Sequence, residues 1–365
     1  MVCRMSHSPS RRRPAPPFAA AGSAPPTLKR VAEAAGVHVS TVSRAVNPDT
    51  RHLVAEPVAA RVLAEAARLG YRPDAAAASL RTGRSRLVGA LVPGIANPVF
   101  APILAGAESV LAARGYALLV ADPGDDPARA AALADGMASR RVDGLLLATA
   151  AGRDDPVVTR CLARGTPVVL INRAEAEPRA PSVVSDDREG MRLAVGHLAE
   201  LGHRRIGHVA GPPSLSTGDL RRRGFEEAMA AHGLDAAAVE PAAAYTREAG
   251  AEAARRLLAR RPDLTALACA NDLLALGAYD ALAAAGLRVP GDVSVTGHND
   301  MPMVDMVAPP LTTVRIGHAE MGREAAHLLL RAMEDRAAPP ARGTAVLLRP
   351  ELVVRASTAA PPRPG

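Results

Sequence analysis

From Leu87 onward the chain alternates short apolar runs with longer amphipathic stretches. The apolar runs lie at 87–92, 117–121, 144–148, 168–171, 182–184, 206–210, 266–270 and 293–297, and each has the length of a buried strand. The intervening stretches are rich in Ala, Leu and Arg and carry helical periodicity. Strand–helix alternation of this length predicts an α/β fold with doubly wound parallel sheets covered by helices. Two sheets fit, over roughly 87–185 and 186–312, with the segment after Thr313 crossing back.

The N-terminal pattern is different. After Thr27, a natural N-cap, Leu28, Val31, Ala32 and Ala35 fall at i, i+3, i+4 and i+7. Gly36 permits the left-handed backbone of a sharp helix–helix corner. In a second helix Val42, Ala45 and Val46 point inward, while Val39, Ser40, Ser43 and Arg44 share the outer face. Short polar side chains beside one Arg suit a DNA major groove, with a solvated helical hairpin as the alternative.

Charge sharpens that choice. Residues 1–86 hold 14 Lys and Arg against 5 Asp and Glu, whereas the remainder holds 30 against 32. The basic excess therefore sits on the N-terminal module, the footprint of a nucleic-acid binder. The first 26 residues are rich in Pro, Ala, Ser and Arg and read as a disordered basic arm, without the apolar core of a secretory signal. No run approaches a membrane span, and Cys3, Cys161 and Cys269 lack metal-ligand spacing, so reduced thiols in a cytoplasmic protein are expected.

Residues 27–86 resemble the headpiece of the LacI/GalR family of bacterial transcription repressors. Helix-turn-helix, spacer and hinge occur in family order, the hinge reading Tyr71-Arg72-Pro73-Asp74, then Ala77 and Leu80. The resemblance continues to about Thr358. It implies a helix-turn-helix headpiece over 27–73, a hinge over 74–86, a two-lobed periplasmic-binding-protein-like effector domain over 87–358, and a disordered tail over 359–365. It also implies that Val39, Ser40 and Arg44 read bases, while Thr27, Thr41, Ser43 and Asn47 contact phosphates. His38 stands where the family usually has a capping Ser; it can add a phosphate contact but is expected to cap weakly. Leu80 becomes a minor-groove wedge and Ala77 the small residue that lets paired hinge helices approach.

Ligands of such folds bind beyond the carboxyl ends of the strands. Asn97, Phe100, Arg173, Thr217, Arg221, Tyr245, Asn271 and Asn299 are the candidates there, although Asn271 and Asp272 can equally cap the following helix. The family's usual Gly-aromatic-Asp-Asp at the last strand of the second lobe reads Gly297-His298-Asn299-Asp300 here. With that first carboxylate absent, Arg173 and Arg221 predict an electropositive pocket for a neutral or anionic sugar derivative. The pairs Asp125-Asp126, Asp154-Asp155 and Asp186-Asp187 read as turn or cap residues.

Motifs for nucleotide-dependent, zinc-dependent and serine-nucleophile catalysis are missing, and no cofactor or metal is expected. The resulting expectation is a repressor that binds a near-palindromic double-stranded operator as a homodimer, or a tetramer, under control of a sugar-like effector. A pure solute-binding module and a sugar-modifying enzyme are the alternatives.

Overall fold

The computed structural model describes residues 26–47, 50–72, 83–152, 154–334 and 343–362. They fall into two compact units, divided between residues 81 and 82.

In the first unit α1 (Leu28–Ala35), α2 (Val39–Val46) and α3 (Glu56–Arg68) enclose a small core. Val31, Ala32, Ala35, Val42, Ala45, Ala59, Val62 and Ala66 are buried in it, and Val46 packs partly buried against them. Gly36 ends α1 with φ 63° and ψ 40°, the left-handed geometry that a corner needs. So small a core leans on its helix ends. Arg61 Nε donates to Ala35 O at 3.1 Å and Arg51 Nε to Ala45 O at 2.9 Å, each satisfying a carbonyl that the helix cannot.

The second unit contains two six-stranded sheets. Strands β1 (Leu87–Leu91), β2 (Ala117–Ala121), β3 (Gly144–Leu147), β4 (Val168–Ile171), β5 (Ser182–Ser185) and β11 (Ala345–Leu348) form the first, in the order β11-β5-β4-β3-β1-β2. Strands β6 (Ile206–Ala210), β7 (Val239–Pro241), β8 (Ala266–Cys269), β9 (Ser294–Asn299), β10 (Thr312–Arg315) and β12 (Glu351–Val353) form the second, in the order β12-β10-β9-β8-β6-β7. Every pairing is parallel except β10 with β12. The helices are α4 (Phe100–Ala113), α5 (Pro127–Ser139), α6 (Pro156–Arg164), α7 (Asp187–Glu200), α8 (Ser216–Ala231), α9 (Arg247–Arg260), α10 (Asp272–Ala284) and α11 (His318–Glu334).

All eight predicted strands are present. The expected single return after Thr313 is not the whole path. Strand β10 stays in the second sheet, α11 packs on α4 and on strands of the first, β11 joins the first sheet, and β12 returns to the second. Within the expected tail, Ala359 is held: its carbonyl accepts from His203 Nε2 at 2.8 Å and its N–H donates to Ser294 Oγ at 3.0 Å. In each sheet the strand order reverses beside the first strand, β1 or β6, which opens a crevice at the carboxyl ends.

Candidate DNA-reading surface and effector cleft

The outer face of α2 carries the predicted readers. His38, Val39, Ser40 and Arg44 are exposed, Val39 at 37%, while Thr41, Ser43 and Asn47 are half-buried. Thr27 is exposed too, and its Oγ1 accepts from Arg30 N at 3.4 Å. That bond uses a lone pair, so the hydroxyl proton stays available to a phosphate oxygen.

His38 does cap α2. Its Nδ1 accepts from the Ser40 N–H at 3.3 Å and lies 2.8 Å from Ser40 Oγ. An acceptor at Nδ1 fixes the proton on Nε2, so the imidazole caps α2 and still presents an N–H outward. The expected hinge residues Ala77 and Leu80, with Pro73 and Asp74, lie outside the described residues, as do 1–25 of the expected basic arm.

In the second unit a cleft opens at the strand carboxyl ends. Its lining is Asn97, Val99, Phe100, Asn172, Arg173, Thr217, Arg221, Tyr245, Asn271 and Asn299. All eight predicted residues are thus brought together. Val99 and Asn172 are additions, and Asn172 carries the same signal as its neighbours, a polar residue directly after an apolar run. Asn271 lines the cleft and also caps α10, its Oδ1 accepting from Leu274 N at 2.8 Å. Tyr245 OH donates to Thr217 Oγ1 at 3.2 Å.

Two lining residues have backbones that L-residues rarely adopt. Asn172 has φ 64°, closed by a 2.6 Å bond from Arg173 N to Ile171 O, a tight three-residue turn of the strained hand. Asn299 has φ 117° and is followed by Asp300 at φ 53°. Strain of this kind gathers at ligand sites, held there by the surrounding structure. The structure supplies that hold: Asp300 accepts from Arg315 Nε and from Arg355 Nη2, each at 2.7 Å.

The two arginines expected to make the pocket electropositive are each ion-paired. Arg221, 3% exposed, donates Nε to Asp187 Oδ1 at 2.8 Å, Nη1 to Ala270 O at 2.6 Å and Nη2 to Asn299 Oδ1 at 3.2 Å. Asp187, equally buried, supplies the carboxylate that Asn299 lacks. Burial pushes the Asp187 carboxyl up, and the Arg221 charge opposes that shift. Arg173 pairs with Asp125 at 3.3 Å. Asp126, Asp155 and Asp186 cap helices as predicted, whereas Asp125 and Asp187 neutralise the cleft. Asp272, fully buried, anchors the loop after β9 by accepting from Met301 N at 2.8 Å and from Thr313 Oγ1. Burial raises its pKa to about 7, against those two hydrogen bonds.

Residues 27–74 match the bacterial regulatory proteins of the lacI family, and residues 195–358 match the periplasmic binding protein-like domain. The HTH-type transcriptional repressor PurR of Haemophilus influenzae is 34% identical over 337 residues, covering 91% of this chain and 98% of that protein. The HTH-type transcriptional regulator MalR of Streptomyces coelicolor is 36% identical over 345 residues, covering 92% and 97%. The lac repressor dimer bound to operator and the anti-inducer ONPF superposes with a TM-score of 0.81 at 27% identity, covering 92% of this chain and 100% of that one. The complex of the transcriptional regulator CelR with cellobiose superposes with a TM-score of 0.69 at 33% identity, covering 91% and 99%. With both of its units accounted for in this way, the chain belongs to the lacI family of bacterial regulatory proteins and is a DNA-binding transcriptional regulator.

Proposed function

We propose that this regulator is a repressor that grips a near-palindromic operator as a homodimer and is controlled by a small, neutral, hydroxyl-rich effector of the sugar class. The carrying observation is the amide-rich lining of the cleft, whose two arginines are each paired with a carboxylate lying outside it. Asn97, Asn172, Asn271 and Asn299 each offer an acceptor and two donors, which suits hydroxyl groups that both give and take hydrogen bonds. Phe100 and Tyr245 add apolar ring surface. Because Asp187 and Asp125 already match Arg221 and Arg173, an anionic group finds no free positive charge. The likeness to a cellobiose complex and to an operator-bound dimer supports the same reading.

Two half-sites require two headpieces, which is the reason for a dimer as the working unit. A ligand that prefers one arrangement of the cleft shifts the population of that arrangement, and operator affinity shifts with it. Acting on operator DNA, the protein works in the cytoplasm at the nucleoid. No catalytic role is assigned to the cleft. Calorimetry with cellobiose, glucose 6-phosphate, glucuronate and guanine tests the ligand class. The neutral sugar is expected to bind at least about tenfold more tightly than either anion, since an unmatched buried charge costs more than 1.4 kcal/mol. Tighter binding of an anion or of guanine would overturn the proposal.

A further inference from the structure

His298 is fully buried on β9, and among the described residues it is the one histidine with both ring nitrogens buried and without a hydrogen-bond partner. A neutral imidazole always carries one donor and one acceptor, so this burial opposes folding unless a second arrangement uses them. The family's usual aromatic residue at this position has neither group on its ring face. The groups around His298 are Asp187 on α7, Arg221 on α8, His208 on β6 and His318 at the start of α11. Its Nε2 lies 3.6 Å from Asp187 Oδ1, the same oxygen that accepts from Arg221 Nε at 2.8 Å. Helix α7 is notched to admit the ring: a Cβ on Gly190 would stand 2.4 Å from His298 Cε1. One carboxylate oxygen therefore lies between two donors, an arginine that lines the cleft and an imidazole behind it.

We propose that His298 is a positioning residue for effector recognition, taking over Asp187 Oδ1 through Nε2–H when Arg221 is drawn from that oxygen onto a bound ligand. This rests on the cleft being the effector site. A shift of about 0.7 Å would bring Nε2 to hydrogen-bonding distance. The exchange keeps a buried carboxylate from being left bare, and so makes Arg221 easier to release. With Arg221 on Asp187, burial first and the Arg221 charge second hold the His298 pKa well below its usual value. With the guanidinium drawn off, the carboxylate favours the imidazolium, so effector binding takes up a proton from solvent and tightens as pH falls.

The first test needs no ligand. In full-length Arg221→Met labelled with 15N-histidine, one imidazole is expected to titrate at higher pH than in wild type, and that signal to vanish in Arg221→Met/His298→Phe. An unchanged imidazole spectrum, or a signal that survives in the double variant, overturns the proposal. A second measurement stands if Arg221→Met does not fold. Ligand-free His298→Phe should melt higher than wild type, because it removes two bare polar atoms; a lower melting temperature would show that His298 already has a partner and overturns the exchange. The third uses cellobiose as the probe. His298→Phe should weaken it about tenfold and abolish its pH dependence between 6 and 8, as expected for loss of one bond to a charged group. His298→Gln, whose amide can reach the place of Nε2, should keep affinity within about threefold but lose the pH dependence. A mere packing role makes Phe equal to or better than Gln. Failure of wild type to bind cellobiose would count against the reading of the cleft, whereas the titration in Arg221→Met judges the exchange alone.

Discussion

Replacing Asp187 by Ala tests the claim that the cleft is electrostatically closed on itself. The guanidinium of Arg221 is 3% exposed and would keep only two neutral acceptors, Ala270 O and Asn299 Oδ1. Removing one member of a buried pair costs about 3–5 kcal/mol, because the surviving charge has neither water nor a counter-charge. For a unit of this size each kcal/mol corresponds to roughly 2–4 °C, so the melting temperature should fall by on the order of 10 °C. Arg221→Met should cost less, since His298 Nε2, 3.6 Å from Asp187 Oδ1, can take over the carboxylate. The double variant Asp187→Ala/Arg221→Met strands nothing and should recover at least about 2 kcal/mol of the summed loss. Differential scanning calorimetry of the four full-length proteins closes the cycle. Additive losses, or a cost below about 1 kcal/mol for Asp187→Ala, would refute the buried pair as the element that neutralises the cleft. Asp187→Asn supplies the ligand arm: it leaves Arg221 unmatched, so glucuronate should bind more tightly than to wild type.

Other consequences can be checked separately. Arg44→Ala should cost about 1–3 kcal/mol on the cognate operator and relax preference at one symmetric base pair, while Thr27→Ala should weaken all DNA evenly; equal loss of Arg44→Ala on random DNA would remove it from the base readers. His38→Ala should lower headpiece stability by about 0.5–2 kcal/mol, with His38→Ser restoring it, as followed by circular dichroism; no loss would mean that the imidazole cap carries no weight. Asp272 has a folded pKa raised to about 7 by burial, so its contribution is fully present below the unfolded value and is lost as pH rises through 7. Relative to Asp272→Asn, wild type should therefore gain about 1.4 kcal/mol between pH 8 and pH 6. A pH-independent difference between the two proteins would contradict that assignment.

The cleft was legible in the sequence because its lining residues follow apolar runs. Arg173 and Asn271 lie just past β4 and β8, Asn299 ends β9, and Asn97 and Tyr245 lie in the loops that follow β1 and β7. Asp187 was not legible. It lies 34 residues from Arg221 on a helix start, and its neighbour Asp186 performs the capping that accounts for an acidic pair. Four strands also escaped. Strand β7 is three residues long and ends in Pro241, and β11 and β12 are short edge strands with alternating exposure. At only three residues, β7 and β12 are too short to be marked by length. His298 shows the converse limit: a histidine on a strand says nothing of its burial until the helix that covers it, notched at Gly190, is in place.

The central claim is that this chain couples a hydroxyl-rich ligand in the cleft to sequence-specific DNA binding. Selection of operator from random duplex DNA by the full-length protein, followed by fluorescence anisotropy on the enriched site with cellobiose, glucose 6-phosphate, glucuronate and guanine as competitors of the bound state, tests it most directly. The account predicts a near-palindromic site, bound by two chains, whose affinity is shifted by the neutral sugar and abolished in its response by Arg221→Met. Enrichment of no sequence, or a response to ligand that survives Arg221→Met, would contradict it.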